Sequence, residues 1–334
     1  MNPKTDEASK VWTIVLAGGD GTRLRPLTRA LHGEDLPKQF ATLQGERSLL
    51  QATLARTLST SPPERTVVVV ADERQSLARE QLAEFPGLDV VAQPRNVGTG
   101  PGLLLPLARV AARDPEALVT VIPSDHYVEN AGAFVASVEV AMSVARRESA
   151  IVLVAAVPEG SEREYGWISM DSHDGRQGRR VARFIEKPDE EAAKRLFQSG
   201  ALWNTFIMVG PVQRFLELTR QHLPHTSALF DAYRRRIGAN DEHRALSQTY
   251  AALRPADFSR DVLQKAKSLR AVPLLPCGWS DWGTPERVFR SLHGTPDLEA
   301  LLGRIREREA SLPSARSGLG RNSHAPDGLA ATNS

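Results

Sequence analysis

The chain has 334 residues, 41% apolar and 25% charged, and a formal net charge of +2. That length buries a sizeable core, and the near-neutral balance excludes the basic stripe or tail of a general nucleic-acid binder. A single cysteine, Cys277, excludes an internal disulfide, and no apolar run nears a bilayer span.

The opening MNPKTDEASK is polar and lacks the apolar centre of a signal peptide, so the expectation is a soluble, cytoplasmic protein with neither membrane nor nucleic-acid partners. Residues 11–17 (VWTIVLA) begin a series of nearly continuous runs rich in valine and isoleucine, repeated at 66–71, 88–93, 117–123 and 150–157. Such runs suit parallel strands covered on both faces. Amphipathic segments at 48–59, 72–85 and 132–148 predict helices between them. Strand then helix, repeated, implies right-handed crossovers and an α/β fold built on a doubly wound, mostly parallel sheet.

Directly after the first run stands LAGGDGTRLRPLTR (16–29), with three glycines and three arginines. Ligands of doubly wound sheets bind beyond the carboxyl ends of the strands, where Gly18, Gly19 and Gly21 fall. Glycines let backbone N–H groups approach an anion closely, and the planar fork of arginine suits phosphate. Two commoner motifs are excluded. Leu24 stands where a dinucleotide fingerprint needs its last glycine, and no Gly-Lys-Ser/Thr triplet closes a P-loop.

After about residue 160 the pattern changes. Runs at 165–171, 181–188 and 202–210 are shorter, some alternating, and predict antiparallel strands, with HDGRQGRR (173–180) as a hairpin turn. Residues 188–200 predict a helix capped by Asp189 and stopped by Gly200. A mostly helical block spans 212–267, a last strand 269–276, and a helix 284–294 with Thr284 as N-cap and Pro285 in the first turn. Beyond 312 the chain has too little apolar content to pack, and disorder is expected.

LAGGDGTRLRPLTR followed by LPKQF (36–40) resembles the opening of sugar-1-phosphate nucleotidyltransferases, and the PKQF form is most similar to mannose-1-phosphate guanylyltransferases, the GDP-mannose pyrophosphorylases. Six further blocks follow in that family's order: QPRNVGTGP (93–101), PSDH (123–126), EYGWI (164–168), FIEKP (184–188), LWNTFIMVG (202–210) and GWSDWGTPE (278–286). The resemblance implies a nucleotide-diphospho-sugar transferase fold, Rossmann-like and GT-A-like, with a smaller antiparallel sugar-binding portion. It assigns 11–292 to the catalytic domain, leaving 1–10 as a polar extension, 293–312 as a C-terminal helix and 313–334 as a tail.

The implied reaction joins a nucleoside triphosphate to a sugar 1-phosphate, giving a nucleotide sugar and pyrophosphate. A phosphate monoester has a second pKa of about 6, so the nucleophile is already anionic near neutrality. Positioning and charge neutralisation are then the main demands. By resemblance, Arg23 contacts the triphosphate and stabilises the leaving pyrophosphate, and Lys38 reaches the phosphates. Leu16, Ala17, Gly18, Gly19, Gly21, Thr22, Gly98, Thr99 and Pro101 are implied in nucleotide binding, and Gly166, Glu186, Lys187 and Asn204 in sugar phosphate binding. Asp125 and Asp281 each follow a strand, and two carboxylates beside phosphates suit Mg²⁺; by resemblance they are the metal pair. His126 lacks partners at ligand spacing and reads as structural.

GTP and mannose 1-phosphate are the expected substrates. The chain departs from the family at Asn204-Thr205-Phe206, where many guanylyltransferases have Asn-Ser-Gly, at Val97-Gly98-Thr99-Gly100-Pro101, and in the longer loop ALHGED (30–35) before Lys38. A thymidylyl- or uridylyltransferase acting on glucose 1-phosphate and a non-catalytic nucleotide-sugar-binding regulator stand as alternatives. A homodimer through the 212–267 helices stays open.

Overall fold

The structure, a computed structural model, describes residues 11–172 and 177–311. The expected extension at 1–10 and tail at 313–334 lie outside the described residues, as does the centre of the hairpin turn at 173–176.

Strands β1 (Val11–Ala17), β2 (Thr66–Ala71), β3 (Asp89–Gln93) and β4 (Leu118–Pro123) form a parallel set in the order β3-β2-β1-β4. Ile14 and Val15 of β1 enter different core clusters and both are fully buried, which is why this strand reads as a continuous apolar run. The chain moves outward from β1 through β2 to β3, then returns to the other side of β1 for β4. That reversal opens a crevice beyond the carboxyl ends of β1 and β4.

Beyond β4 the sheet continues through β5 (Val152–Ala156), β6 (Gly166–Met170), β7 (Arg179–Glu186), β8 (Leu202–Pro211) and β9 (Arg270–Pro273), in the overall order β3-β2-β1-β4-β8-β5-β9-β7-β6. Strand β5 does not extend the parallel set. Strand β8 inserts between β4 and β5 and runs antiparallel to both, and β5 is parallel only to β9. Composition gave no warning, because every residue of β5 is buried whichever way its neighbour runs.

Two helices arise where prolines and glycines masked the pattern: α1 (Arg25–His32), with Pro26 in its first turn, and α4 (Thr99–Arg113), with Pro106 inside. Pro26 forfeits an N–H that a first turn does not use, and the loss at Pro106 is outweighed by burial of Leu103, Leu104, Leu105 and Leu107, all fully enclosed. The other helices follow the expectations closely. They are α2 (Leu49–Thr57), α3 (Gln75–Leu82), α5 (Ala131–Glu148), α6 (Glu190–Gln198), α7 (Val212–His222), α8 (Pro224–Arg234), α9 (Glu242–Ala252), α10 (Pro285–Leu292) and α11 (Pro296–Ser311).

Asp189 caps α6 by accepting from the Ala192 N–H at 2.8 Å. Thr284 takes the N-cap place of α10, but its hydroxyl makes no capping bond. Helices α4, α7, α8 and α9 share one core with the sheet, α5 and α6 a second, and α1, α2, α3, α10 and α11 a third. Among the described residues no helix is long and apolar enough to cross a membrane.

Candidate active site

The glycine turn is folded against the PKQF block. Gln39 Nε2 donates to the carbonyls of Ala17 and Gly19 at 2.9 and 2.7 Å. Gly21 takes φ 54°, and a Cβ there would lie 2.8 Å from the Lys38 backbone nitrogen. Gln93 Nε2 donates to the Gly18 carbonyl at 3.0 Å, and a Gly18 side chain would collide with the same amide. The Ser124 N–H and hydroxyl both bond the Leu16 carbonyl, at 3.0 and 2.7 Å, locking the end of β4 to the end of β1.

A cleft of about 250 Å³ opens there, between Leu16, Gly18 and Gly19 on one wall and Gly98 and Thr99 on the other, with Gln93 and Asn96 lining it. Gly98 takes φ 93°, with the Ala256 carbonyl where a side chain would go. Thr99 Oγ1 accepts from the Phe258 N–H at 2.8 Å, and the Gly100 N–H donates to the Ala256 carbonyl at 2.9 Å. These contacts dock the segment after α9, which carries Asp257 to the cleft. Ala17 and Pro101 are buried behind the walls, and Thr22 is exposed at the start of a 3₁₀ turn. The cleft does not gather those three.

The charged centre lies beside this cleft. Tyr127 and Ser280 exchange backbone hydrogen bonds of 2.9 and 3.1 Å, drawing the segment after β4 against the one before α10. Lys38 Nζ lies 2.9 Å from Asp125 Oδ2 and donates to the Asp281 backbone carbonyl, with only 7% of its side chain exposed. Asp281 Oδ1 accepts from Tyr165 Oη at 2.6 Å, Arg287 Nη1 at 2.9 Å and the Gly283 N–H at 3.0 Å. A Cβ on Gly283 would lie 2.6 Å from Asp281 Oδ2 and 3.2 Å from Arg23 Nη2, so Arg23 borders the same spot. Arg23 pairs with Glu164 at 3.2 Å, in the open.

Burial pushes the carboxyls of Asp125 and Asp281 up, but Lys38 beside both, joined at Asp281 by the Tyr165 hydroxyl and Arg287, works the other way, and each is held below the usual carboxylate range. Burial lowers His126 to about 4, so its ring is neutral at physiological pH; Trp279 Nε1 donates to its Nδ1 at 3.3 Å. Among the described residues no group of three or more His, Cys, Asp or Glu is placed to hold a metal ion; the aspartates stand as a pair.

On the antiparallel side, a Cβ on Gly166 would lie 2.6 Å from Glu186 Oε2 and 3.2 Å from Asn204 Cβ. Burial, then the nearby Asp257, push Glu186 up to about 7. Lys187, Phe206 and Trp282 take φ of 47°, 60° and 42°, and each adjoins or lies close to a predicted site residue: Glu186, Asn204 and Asp281. Non-glycine residues held there cost on the order of 1–3 kcal/mol each and tend to cluster at functional sites. Phe206 occupies the left-handed region in a bulge between β5 and β8, at the position where the resembled family often has glycine.

Sequence reasoning missed Gln39, Gln93, Asn96, Glu162, Tyr165, Asp257 and Arg287. Gln39, Gln93, Asn96 and Tyr165 lie inside blocks already singled out, and Arg287 directly follows one. Asp257 carried no signal, because only tertiary packing brings it to the cleft.

The fold is that of an α/β nucleotide-sugar transferase, a mixed sheet with helices packed on it. Residues 12–295 match the family described as Nucleotidyl transferase, and the chain belongs to it. It is 33% identical over 284 residues to the xanthan biosynthesis protein XanB of Xanthomonas campestris pv. campestris (strain B100), covering 83% of this chain and 58% of that protein. It is 29% identical over 326 residues to the mannose-1-phosphate guanylyltransferase of Escherichia coli K12, covering 93% of this chain and 66% of that one. The chain thus spans less than two thirds of these curated relatives. A crystal structure described as mannose-1-phosphate geranyltransferase from Thermus thermophilus is similar at a TM-score of 0.75 and 30% identity, covering 86% of this chain and 80% of that chain.

Proposed function

We propose that the protein joins GTP and mannose 1-phosphate to give GDP-mannose and pyrophosphate. A phosphate oxygen of the sugar phosphate attacks the α-phosphorus in line, and the P–O bond to pyrophosphate breaks. The cleft beside Gly18, Gly19, Gly98 and Thr99 takes the nucleotide, its glycines letting the ligand approach the backbone closely. Arg23 steadies charge on the departing pyrophosphate. Gly166, Glu186, Lys187 and Asn204 take the sugar phosphate, with Glu186 accepting from hydroxyls and Lys187 facing the phosphate.

Asp125 and Asp281 would hold Mg²⁺. Their hard oxygen donors suit an ion that takes one or two carboxylates plus phosphate oxygens and water, and Gly283 has no side chain to cover Asp281 Oδ2. Bound there, Mg²⁺ supplies neutralisation of phosphate charge. Lys38 holds the two aspartate-bearing segments together and adds its own positive charge behind them.

The observation that carries this reading is the bond from Lys38 to both Asp125 and Asp281 with Arg23 bordering Gly283. The names of the guanylyltransferase relatives support the choice of base and sugar. The test is pyrophosphate release by the purified chain with Mg²⁺ and a panel of four triphosphates against several sugar phosphates. Turnover highest for GTP with mannose 1-phosphate is expected. Preference for a thymidylyl or uridylyl donor with glucose 1-phosphate contradicts the assignment of substrates, and no turnover with any pair contradicts catalysis.

A further inference from the structure

We infer that Tyr165 and Arg287 are positioning residues for Asp281, holding its carboxylate by one oxygen so that the other is presented to a divalent cation. The inference rests on the metal reading above and assigns work to two residues outside it. Three donors converge on Asp281 Oδ1, those of Tyr165, Arg287 and the Gly283 N–H, at 2.6, 2.9 and 3.0 Å. The opposite oxygen faces the space left by the missing Gly283 side chain, beside Arg23.

Neither holding group is loose. The Tyr165 ring stacks on Trp203 at 4.5 Å between centroids, and the Arg287 guanidinium lies 4.7 Å from the Tyr165 ring centroid. Arg287 Nη1 donates to Tyr165 Oη at 3.0 Å while that hydroxyl gives its own proton to the bond with Asp281; Arg287 Nη2 is anchored on Glu162 at 3.0 Å. The triangle therefore has a donor for every acceptor and fixes which carboxylate oxygen stays available. Groups that orient a metal-binding carboxylate from behind typically change metal affinity by about 10–100-fold when lost.

The same segment reaches the sugar side. The Tyr165 carbonyl accepts from the Lys187 N–H at 3.2 Å, and Gly166 follows directly. Asp281 is thus steadied by the residue directly before β6, the strand that carries Gly166 of the proposed sugar phosphate subsite.

The test is a Mn²⁺ titration of the full chain, followed by electron paramagnetic resonance of free Mn²⁺, alongside Mg²⁺-dependent turnover. Tyr165→Phe keeps the stack on Trp203 and removes only the hydroxyl. It is expected to weaken Mn²⁺ binding about tenfold with an unchanged melting temperature, and turnover recovers at saturating Mg²⁺. Arg287→Met weakens binding similarly, and Arg287→Lys recovers part of the loss. Wild-type Mn²⁺ affinity in Tyr165→Phe, with binding lost in Asp281→Asn, overturns the positioning role and leaves the metal reading standing. Absent binding in the wild type, or unchanged binding in Asp281→Asn, overturns both.

Discussion

The two halves of the sheet build their shares of the site by different means. On the parallel side, the backbone shapes the cleft: Gly18, Gly21 and Gly98 make room for Gln93, Lys38 and Ala256, and Gly21 and Gly98 adopt positive φ at no steric cost. On the antiparallel side and at the junction, Lys187, Phe206 and Trp282 are forced into that same region with side chains attached. At Gly18, Gly21 and Gly98 the first half has no room for a side chain; the second depends on packing to hold strained residues in place. One centre, Lys38 with Asp125 and Asp281, joins the halves.

The largest effect is expected at that junction. Asp281→Asn lowers turnover at least about a hundredfold while the thermal midpoint stays near that of the wild type; near-normal rates contradict a role in the reaction. Next comes the parallel half, where Gly98→Ala puts a side chain against the Ala256 carbonyl at a φ of 93°. A loss of about 1–3 kcal/mol in denaturant unfolding is expected, with a raised KM for the triphosphate.

The antiparallel half gives a pH signature. Glu186, pushed up to about 7 by burial and then Asp257, is protonated below that pH and a full acceptor above it. The KM for sugar phosphate therefore falls as pH rises through about 7. The sugar phosphate itself ionises at about 6, so the comparison is with Glu186→Gln, which retains only that titration. Identical profiles for both proteins contradict the assignment. The smallest effect belongs to Glu164→Gln. Exposed ion pairs contribute roughly 0.2–1 kcal/mol, so freeing Arg23 lowers the triphosphate KM by at most about fivefold, read from initial rates.

Much of this was legible in the chain itself, and the two halves differed there too. The continuous runs of β1, β2 and β4 and the glycine turn after β1 located the crevice, because both depend on local rules of burial and backbone freedom. The insertion of β8 between β4 and β5 was not legible: a strand buried on both faces does not record its neighbour's direction. Helix α4 hid behind Pro101 and Pro106, since propensity weighs prolines against a helix and only the enclosed leucines outweigh them. In the site, Asp125, Asp281, Lys38 and Arg23 were readable as motif residues. That Lys38 is enclosed between the aspartates, and that Tyr165 joins Arg287 in gripping Asp281, depends on segments far apart in the chain meeting in space.

The central claim is that Asp125 and Asp281 serve one charged centre, and a double-mutant cycle tests it most directly. The quantity to measure is kcat/KM for pyrophosphate release in Asp125→Asn, Asp281→Asn and the double variant. Shared work predicts that the double variant is about as slow as the slower single one. Losses that multiply would mean that the two carboxylates act independently, and would contradict the account.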